Sequence, residues 1–181
     1  MGYAVAEELA ERGAQVTLIS GRTSLDTPKG VERVDVLSAE EMYQACVERF
    51  EQTDGAVMCA AVADYTPQSV ASEKIKKGEG DMAIALKRTR DIAAELGQRK
   101  GNRILVGFAM ETQNEQANAE DKLLRKNFDF IVLNSLRVEG AGFRGDTNVV
   151  SLIDATGRKD LPLMSKREVA EHIVDKIEES L

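Results

Sequence analysis

The sequence predicts a doubly wound α/β domain on a mostly parallel sheet, with an antiparallel β-ribbon inserted. Three observations predict it. Segments of helical period alternate with strand-like segments along the chain. Two apolar runs read as buried strands, "GAVMCAAVA" at 55–63, buried on both faces of a parallel sheet, and "RILVGFA" at 103–109. The rhythm breaks once, over 71–88, where apolar and charged residues alternate around Gly78 and Gly80.

The elements follow in order. Ala4, Val5, Leu9 and Ala10 recur at helical spacing, and Gly13 stops that helix. "AQVTLIS" is a β-branched strand ending at Ser20, and "GRTSLDTPKG" is a loop. "VERVDV" is the next strand, and Ser38 with Glu41 opens a helix that runs to about Phe50. After the buried strand at 55–63 comes the ribbon, then a helix from about Arg90 to Gln98. The strand at 103–109, a helix from about Asn114 to Lys126 and the strand "FDFIVLN" restore the alternation. "GAGFRGDTN" is a loop, "VVSLIDATGRKDLPL" a second hairpin turning at Asp154 to Gly157, and Ser165 with Glu168 caps a last amphipathic helix. The plan is Rossmann-like, and ligands of such sheets bind at the carboxyl ends of the strands. It opens on a helix, whereas doubly wound sheets begin with a strand and a glycine-rich turn. The expectation is that such a strand and loop stand upstream in a larger domain.

The 181 residues fit one domain, 1–181, with the ribbon at about 72–88 and 148–163. With 43% hydrophobic and 30% charged residues the chain is an ordinary globular protein. Its 24 Lys and Arg against 31 Asp and Glu leave a net charge of −7, which argues against a nucleic-acid partner. Cys46 and Cys59 form neither a disulfide framework nor a zinc site, and His172 reads as a surface residue of the last helix. No apolar run reaches the ~20 residues of a membrane span and no signal peptide opens the chain, so a cytoplasmic location without a membrane partner is expected.

Chemistry-bearing residues gather where the strands end. Asp64 follows the buried strand, where a carboxylate meets a ligand or a metal; taken alone, an Asp before Tyr-Thr-Pro is more often a turn former or helix cap. In "SEKIKK" strand alternation puts Lys74 and Lys76 on one face and Lys77 on the other, either as a solvated edge or as a flap facing phosphates. Phe108 lies near the carboxyl edge, to stack on a base or to fill the core. Lys122 and Lys126, at i and i+4, share a helical face where two cations could clamp a triphosphate.

Together and in order, "MGYAVAEELAERGAQVTLISG", "CAAVADYTP", "EKIKK", "GFAMET", "LLRKNFDFIVLN" and "GFRGDTN" resemble the bacterial phosphopantothenoylcysteine synthetases (phosphopantothenate–cysteine ligases) over nearly the whole chain. That domain is often the carboxyl-terminal half of a bifunctional protein. The flavin-dependent decarboxylase half has no counterpart here, so no flavin is expected in this chain. The resemblance implies a ligase of coenzyme A biosynthesis: the carboxylate of 4'-phosphopantothenate attacks the α-phosphate of CTP, and L-cysteine then attacks the acyl-cytidylate. It also implies Mg²⁺ or Mn²⁺, with Asp64 as the candidate ligand, and a homodimer joined through the inserted sheet. It places nucleotide contacts on Met58, Cys59, Ala60 and Asp64, the flap lysine of catalysis on Lys74, the base-side contact on Phe108, and the helical cations on Lys122 and Lys126. The family's Pro-Asp-Ile/Leu turn against the nucleotide reads Arg90-Asp91-Ile92-Ala93 here, without the proline. The family's "SSGK" loop and its asparagine precede the first helix and have no counterpart. Two rival classes stay open. A nicotinamide oxidoreductase needs a glycine fingerprint before the first helix and usually a Tyr-x-x-x-Lys pair, which Tyr3, Tyr43 and Tyr65 do not supply. A non-catalytic nucleotide-binding fragment needs none of the reactive groups.

Overall fold

A computed structural model describes residues 1–77, 80–111, 115–135 and 145–181. Gly78, the expected helix start at Asn114 and positions 140–144 of the glycine-rich loop lie outside these. The elements are α1 (Gly2–Glu11), β1 (Val16–Ser20), β2 (Val31–Asp35), α2 (Ala39–Phe50), β3 (Gly55–Met58), β4 (Tyr65–Pro67), β5 (Leu86–Arg88), α3 (Ile92–Gln98), β6 (Ile104–Glu111), α4 (Glu115–Arg125), β7 (Phe130–Ser135), β8 (Thr147–Asn148), β9 (Val150–Asp154), β10 (Gly157–Asp160), β11 (Met164–Ser165) and α5 (Lys166–Glu178).

Five strands form the main sheet in the order β10-β9-β7-β6-β3. The β3–β6 and β6–β7 pairs are parallel, while β7–β9 and β9–β10 are antiparallel, so the sheet is mixed. Its centre is β7, where successive side chains alternate between two cores. Phe130 and Val132 face one core with Val5 of α1 and Val169, Ile173 and Val174 of α5. Ile131 and Leu133 face the other with Ala119 and Leu123 of α4. All four of these β7 residues are at most 1% exposed. At roughly 1.5–3 kcal/mol for each buried side chain, this double-sided burial makes β7 a large contributor to the stability of the domain.

The caps follow the sequence. Ser165 and Glu168 close a full capping box at α5, with the Ser165 N–H donating to Oε2 at 2.7 Å and the Glu168 N–H to Ser165 Oγ at 3.2 Å. At α2, Ser38 Oγ accepts from the Glu41 N–H, but the Glu41 carboxylate receives the Leu37 N–H instead of closing the box. The turn at Asp154 to Gly157 forms as expected. The Asp154 carboxylate accepts from the N–H groups of Thr156 and Gly157, and Gly157 takes φ 147°, which favours glycine.

Three expectations need correcting. The strand expected over 55–63 stops at Met58, because past that point the ladder with β6 ends and Cys59 N–H turns back to the Val57 carbonyl. The ribbon expected within 71–88 does not pair with itself: among the described residues 68–85 carry no strand, and β5 pairs antiparallel with β4 instead. The second hairpin is not part of a ribbon subdomain, since β9 docks on β7 and extends the main sheet. In both cases a strand took the partner that covered it, which alternation cannot specify.

Among the described residues β1 and β2 pair only with each other, and β3 pairs only with β6. The first turn of α1 touches the carboxyl ends of both groups. Tyr3 Oη and Ser20 Oγ are 2.8 Å apart, and a Cβ on Gly2 would lie 3.5 Å from that of Cys59.

Candidate functional site

The carboxyl edge of β3 and β6 is the natural ligand edge of this sheet. Register puts Met58 beside Gly107, so the crest runs from Met58 and Cys59 across to Phe108 on β6. Alternation then divides these residues between the two faces. Met58 packs towards Tyr43, Phe50 and Ile92 of α2 and α3, whereas Phe108 packs against the α1 and α5 core. Cys59 sits against the start of α1, and burial pushes its thiol up from the ordinary value. Phe108 is half-buried and serves that core, so a base can reach only its exposed part.

Two loops are tied together beside this crest. The Thr89 N–H donates to the Asp64 carbonyl at 3.0 Å, and its hydroxyl to the Ala63 carbonyl at 2.6 Å. These bonds continue the β4–β5 ladder and set Asp64 next to the Arg90-Asp91 turn. Asp64 and Ala60 are exposed, leaving the Asp64 carboxylate open to solvent.

The turn at 90–91 is braced on both sides. The Arg90 guanidinium stacks 4.5 Å above the Tyr43 ring and lies 3.5 Å from Glu40 Oε2, both on α2. Arg90 thus fixes through its side chain a turn that proline would fix through its ring. Asp91 is the N-cap of α3, its Oδ1 accepting the Ala94 N–H at 3.0 Å. Burial raises its pKa, but the Ala94 N–H and the Lys126 ammonium outweigh that and hold the carboxyl below the usual range. Ile92 is buried and its side chain serves the core; Ala93 is half-buried.

Lys126 reaches this turn from the end of α4. The helices abut because a Cβ on Gly97 of α3 would collide with the Lys126 carbonyl, and Asn127, at φ 53°, donates its Nδ2 to the Gly97 carbonyl at 3.0 Å. Lys126 Nζ lies 3.1 Å from Asp91 Oδ1 and 3.0 Å from Oδ2. Lys122 stands one turn earlier, half-buried, and its carbonyl accepts the Lys126 N–H at 3.0 Å.

The structure therefore joins Asp91 to Lys126, ties Asp64 to Thr89 beside Arg90, and sets Met58 in the cluster of Tyr43 and Ile92, while Cys59 sits against α1. It does not place Lys74 with them. Lys74, Lys76 and Lys77 are exposed and outside any strand, so their assignment to opposite ribbon faces has no basis. Sequence reasoning missed Tyr43 and Glu40, which brace the turn from α2, and Thr89, which ties it back to Ala63 and Asp64. No local signal marks them, because each acts through a long-range contact. Among the described residues no group of three or more His, Cys, Asp or Glu is placed to hold a metal.

The fold defines an α/β domain on a mixed sheet, with carboxylates and cations along one edge. Over residues 1–181 the chain matches the DNA/pantothenate metabolism flavoprotein C-terminal domain, and it belongs to that family. It is 49% identical over 180 residues to a protein of an unknown prokaryotic organism named cysteine/cysteine sulfinic acid decarboxylase, covering 98% of this chain and 50% of that one. To the coenzyme A biosynthesis bifunctional protein CoaBC of Bacillus subtilis (strain 168) it is 48% identical over 179 residues, covering 98% of this chain and 44% of that one. The crystal structure of the C-terminal domain of a CoaBC protein superposes with TM-score 0.81 at 38% identity, over 97% of this chain and 79% of that one. The chain thus spans about half the length of the curated relatives it matches. No helix among the described residues is long and apolar enough to cross a membrane.

Proposed function

We propose that this chain carries the phosphopantothenate–cysteine ligase activity of coenzyme A biosynthesis, with CTP as the activating nucleotide. The observation that carries the reading is family membership over all 181 residues, with the bifunctional B. subtilis protein at 48% identity. The crest supports it: an open carboxylate at Asp64 and a cation at Lys126 stand on one edge, as a nucleotide with its metal requires.

In the first step an oxygen of the 4'-phosphopantothenate carboxylate bonds to the α-phosphorus of CTP and pyrophosphate leaves. In the second, the cysteine amine bonds to the acyl carbon, CMP leaves and the amine releases a proton. Anions must approach anions, so the residues' task is positioning and charge compensation. Met58, Cys59 and Ala60 offer backbone at the strand end, Phe108 one side of the base, and Lys122 and Lys126 phosphate contacts. Lys74, on the exposed insert, compensates the charge that develops in the first step. Mg²⁺ or Mn²⁺ would neutralise the triphosphate. Such an ion is commonly held by one or two carboxylates plus substrate phosphates, which fits the lone open Asp64 better than an all-protein cage. The exposed apolar residues of the insert support a homodimer through that face.

The test supplies the chain with CTP, Mg²⁺, 4'-phosphopantothenate and L-cysteine. Pyrophosphate release that requires 4'-phosphopantothenate, with the cysteine amide identified by mass spectrometry, is the expected outcome. Carbon dioxide released from cysteine without CTP would instead favour a decarboxylase.

A further inference from the structure

The ion pair between Asp91 and Lys126 is more than a surface contact. It joins the N-cap of α3 to the end of α4, 35 residues on, at the crest where the nucleotide is proposed to bind. Lys126 approaches both carboxylate oxygens, at 3.1 and 3.0 Å, and its side chain is 23% exposed. The carboxylate is itself anchored, because Oδ1 also accepts the Ala94 N–H. The backbone before it is anchored in turn by Arg90, stacked on Tyr43, and by Thr89, bonded to Ala63 and Asp64.

We propose that Asp91 is a positioning residue for Lys126: its carboxylate holds the ammonium at the ligand crest, ready to meet the phosphates of the nucleotide. This rests on the nucleotide reading above. An ammonium has three N–H donors, and Asp91 engages at most two, so a donor is left for a phosphate oxygen. A free lysine gives up its rotamer freedom on binding, which corresponds to roughly tenfold or more in affinity; a lysine already held has lost it. Against this stands repulsion between the Asp91 carboxylate and a triphosphate. That carboxylate is 52% exposed and has Lys126 beside it, so water and the intervening cation reduce the repulsion to about a few-fold at most. Positioning wins.

The test is a double-mutant cycle on CTP affinity with Mg²⁺, measured by calorimetry on the chain. Asp91→Asn keeps a good N-cap but removes the charge that holds Lys126. We expect it to weaken CTP binding about 3–10-fold when Lys126 is present, and by less than about twofold in the Lys126→Gln background. Asp91→Ala, which also loses the cap, is expected to lower the melting temperature in both backgrounds, and at least as much when Lys126 is present. Equal loss of affinity from Asp91→Asn in both backgrounds, or tighter binding in both, would overturn the positioning role while leaving the nucleotide reading intact. A wild-type chain that binds no CTP would overturn the nucleotide reading itself, and the role with it.

Discussion

Two regions of this molecule treat apolar side chains in opposite ways. In the main sheet, Phe130, Leu105, Val106 and Val132 are wholly buried between two helical layers. In the inserted stretch from β4 to β5, Tyr65, Val70, Ile75, Met82, Ile84 and Leu86 all face water, Val70 with 88% of its surface exposed. The core of the sheet is covered on both faces by helices, whereas the insert carries apolar surface that no other described residue covers. The difference teaches where stability resides and where function is to be sought. The sheet fixes the crest, and the insert is where the proposed dimer contact and the proposed role of Lys74 can be tested apart from the scaffold.

The contrast is broken most severely in the core. Phe130→Ala removes a ring buried on the α1 and α5 face, and should destabilise the domain by about 3–5 kcal/mol in urea unfolding. A loss below about 1 kcal/mol would mean that β7 is not the centre of the core.

Lys74 tests the insert. If its ammonium meets charge developing during acyl-cytidylate formation, Lys74→Gln lowers turnover about 10²-fold with little change in CTP affinity and none in melting temperature. A rise in KM for CTP at unchanged kcat would reduce Lys74 to a ground-state contact.

Asp154 sharpens the scaffold side. Burial raises its pKa, but hydrogen bonds from Lys176 and Thr156 outweigh this and hold the carboxyl at about 2. A depressed folded pKa stabilises above the unfolded value near 3.9 and loses that contribution as pH falls towards 2. Discounted for water access, the effect is about 1–2 kcal/mol. Wild type should therefore lose stability relative to Asp154→Asn between pH 5 and 2, read as converging melting temperatures. Parallel curves would show that the ion pair with Lys176 contributes nothing.

The smallest effect on stability is expected at Ile84. Ile84→Glu should shift a dimer to monomer in light scattering while changing monomer stability by no more than about 0.5 kcal/mol. An unchanged mass distribution would remove the insert's apolar face from the interface.

The sequence made some of this legible and not the rest, for physical reasons. The α5 capping box and the existence of the β7 strand are local: each is written in spacing that one element carries by itself. Pairing is not local. The run at 71–88 has strand-like alternation, yet among its described residues only Leu86–Arg88 forms a strand, paired with Tyr65–Pro67. The hairpin at 150–160 was visible, but its docking on β7 depends on which sheet edge lies open. At the site, Asp64 and Lys126 were each named from their place after a strand or on a helix, and Asp91 only through the family resemblance. The contacts that join them cross 25 to 35 residues, and no spacing rule reads such contacts. Lys74 shows the converse, since its assigned face depended on a strand that the structure does not contain.

The central claim is that the crest activates a carboxylate by nucleotidyl transfer, and oxygen tracing tests it most directly. With 4'-phosphopantothenate labelled with ¹⁸O in its carboxylate, an acyl-cytidylate must pass one labelled oxygen to CMP when cysteine displaces it. Mass spectrometry of the CMP formed with this chain, CTP, Mg²⁺ and cysteine should therefore find one ¹⁸O for each amide made. Unlabelled CMP, or label recovered in orthophosphate, would contradict the account.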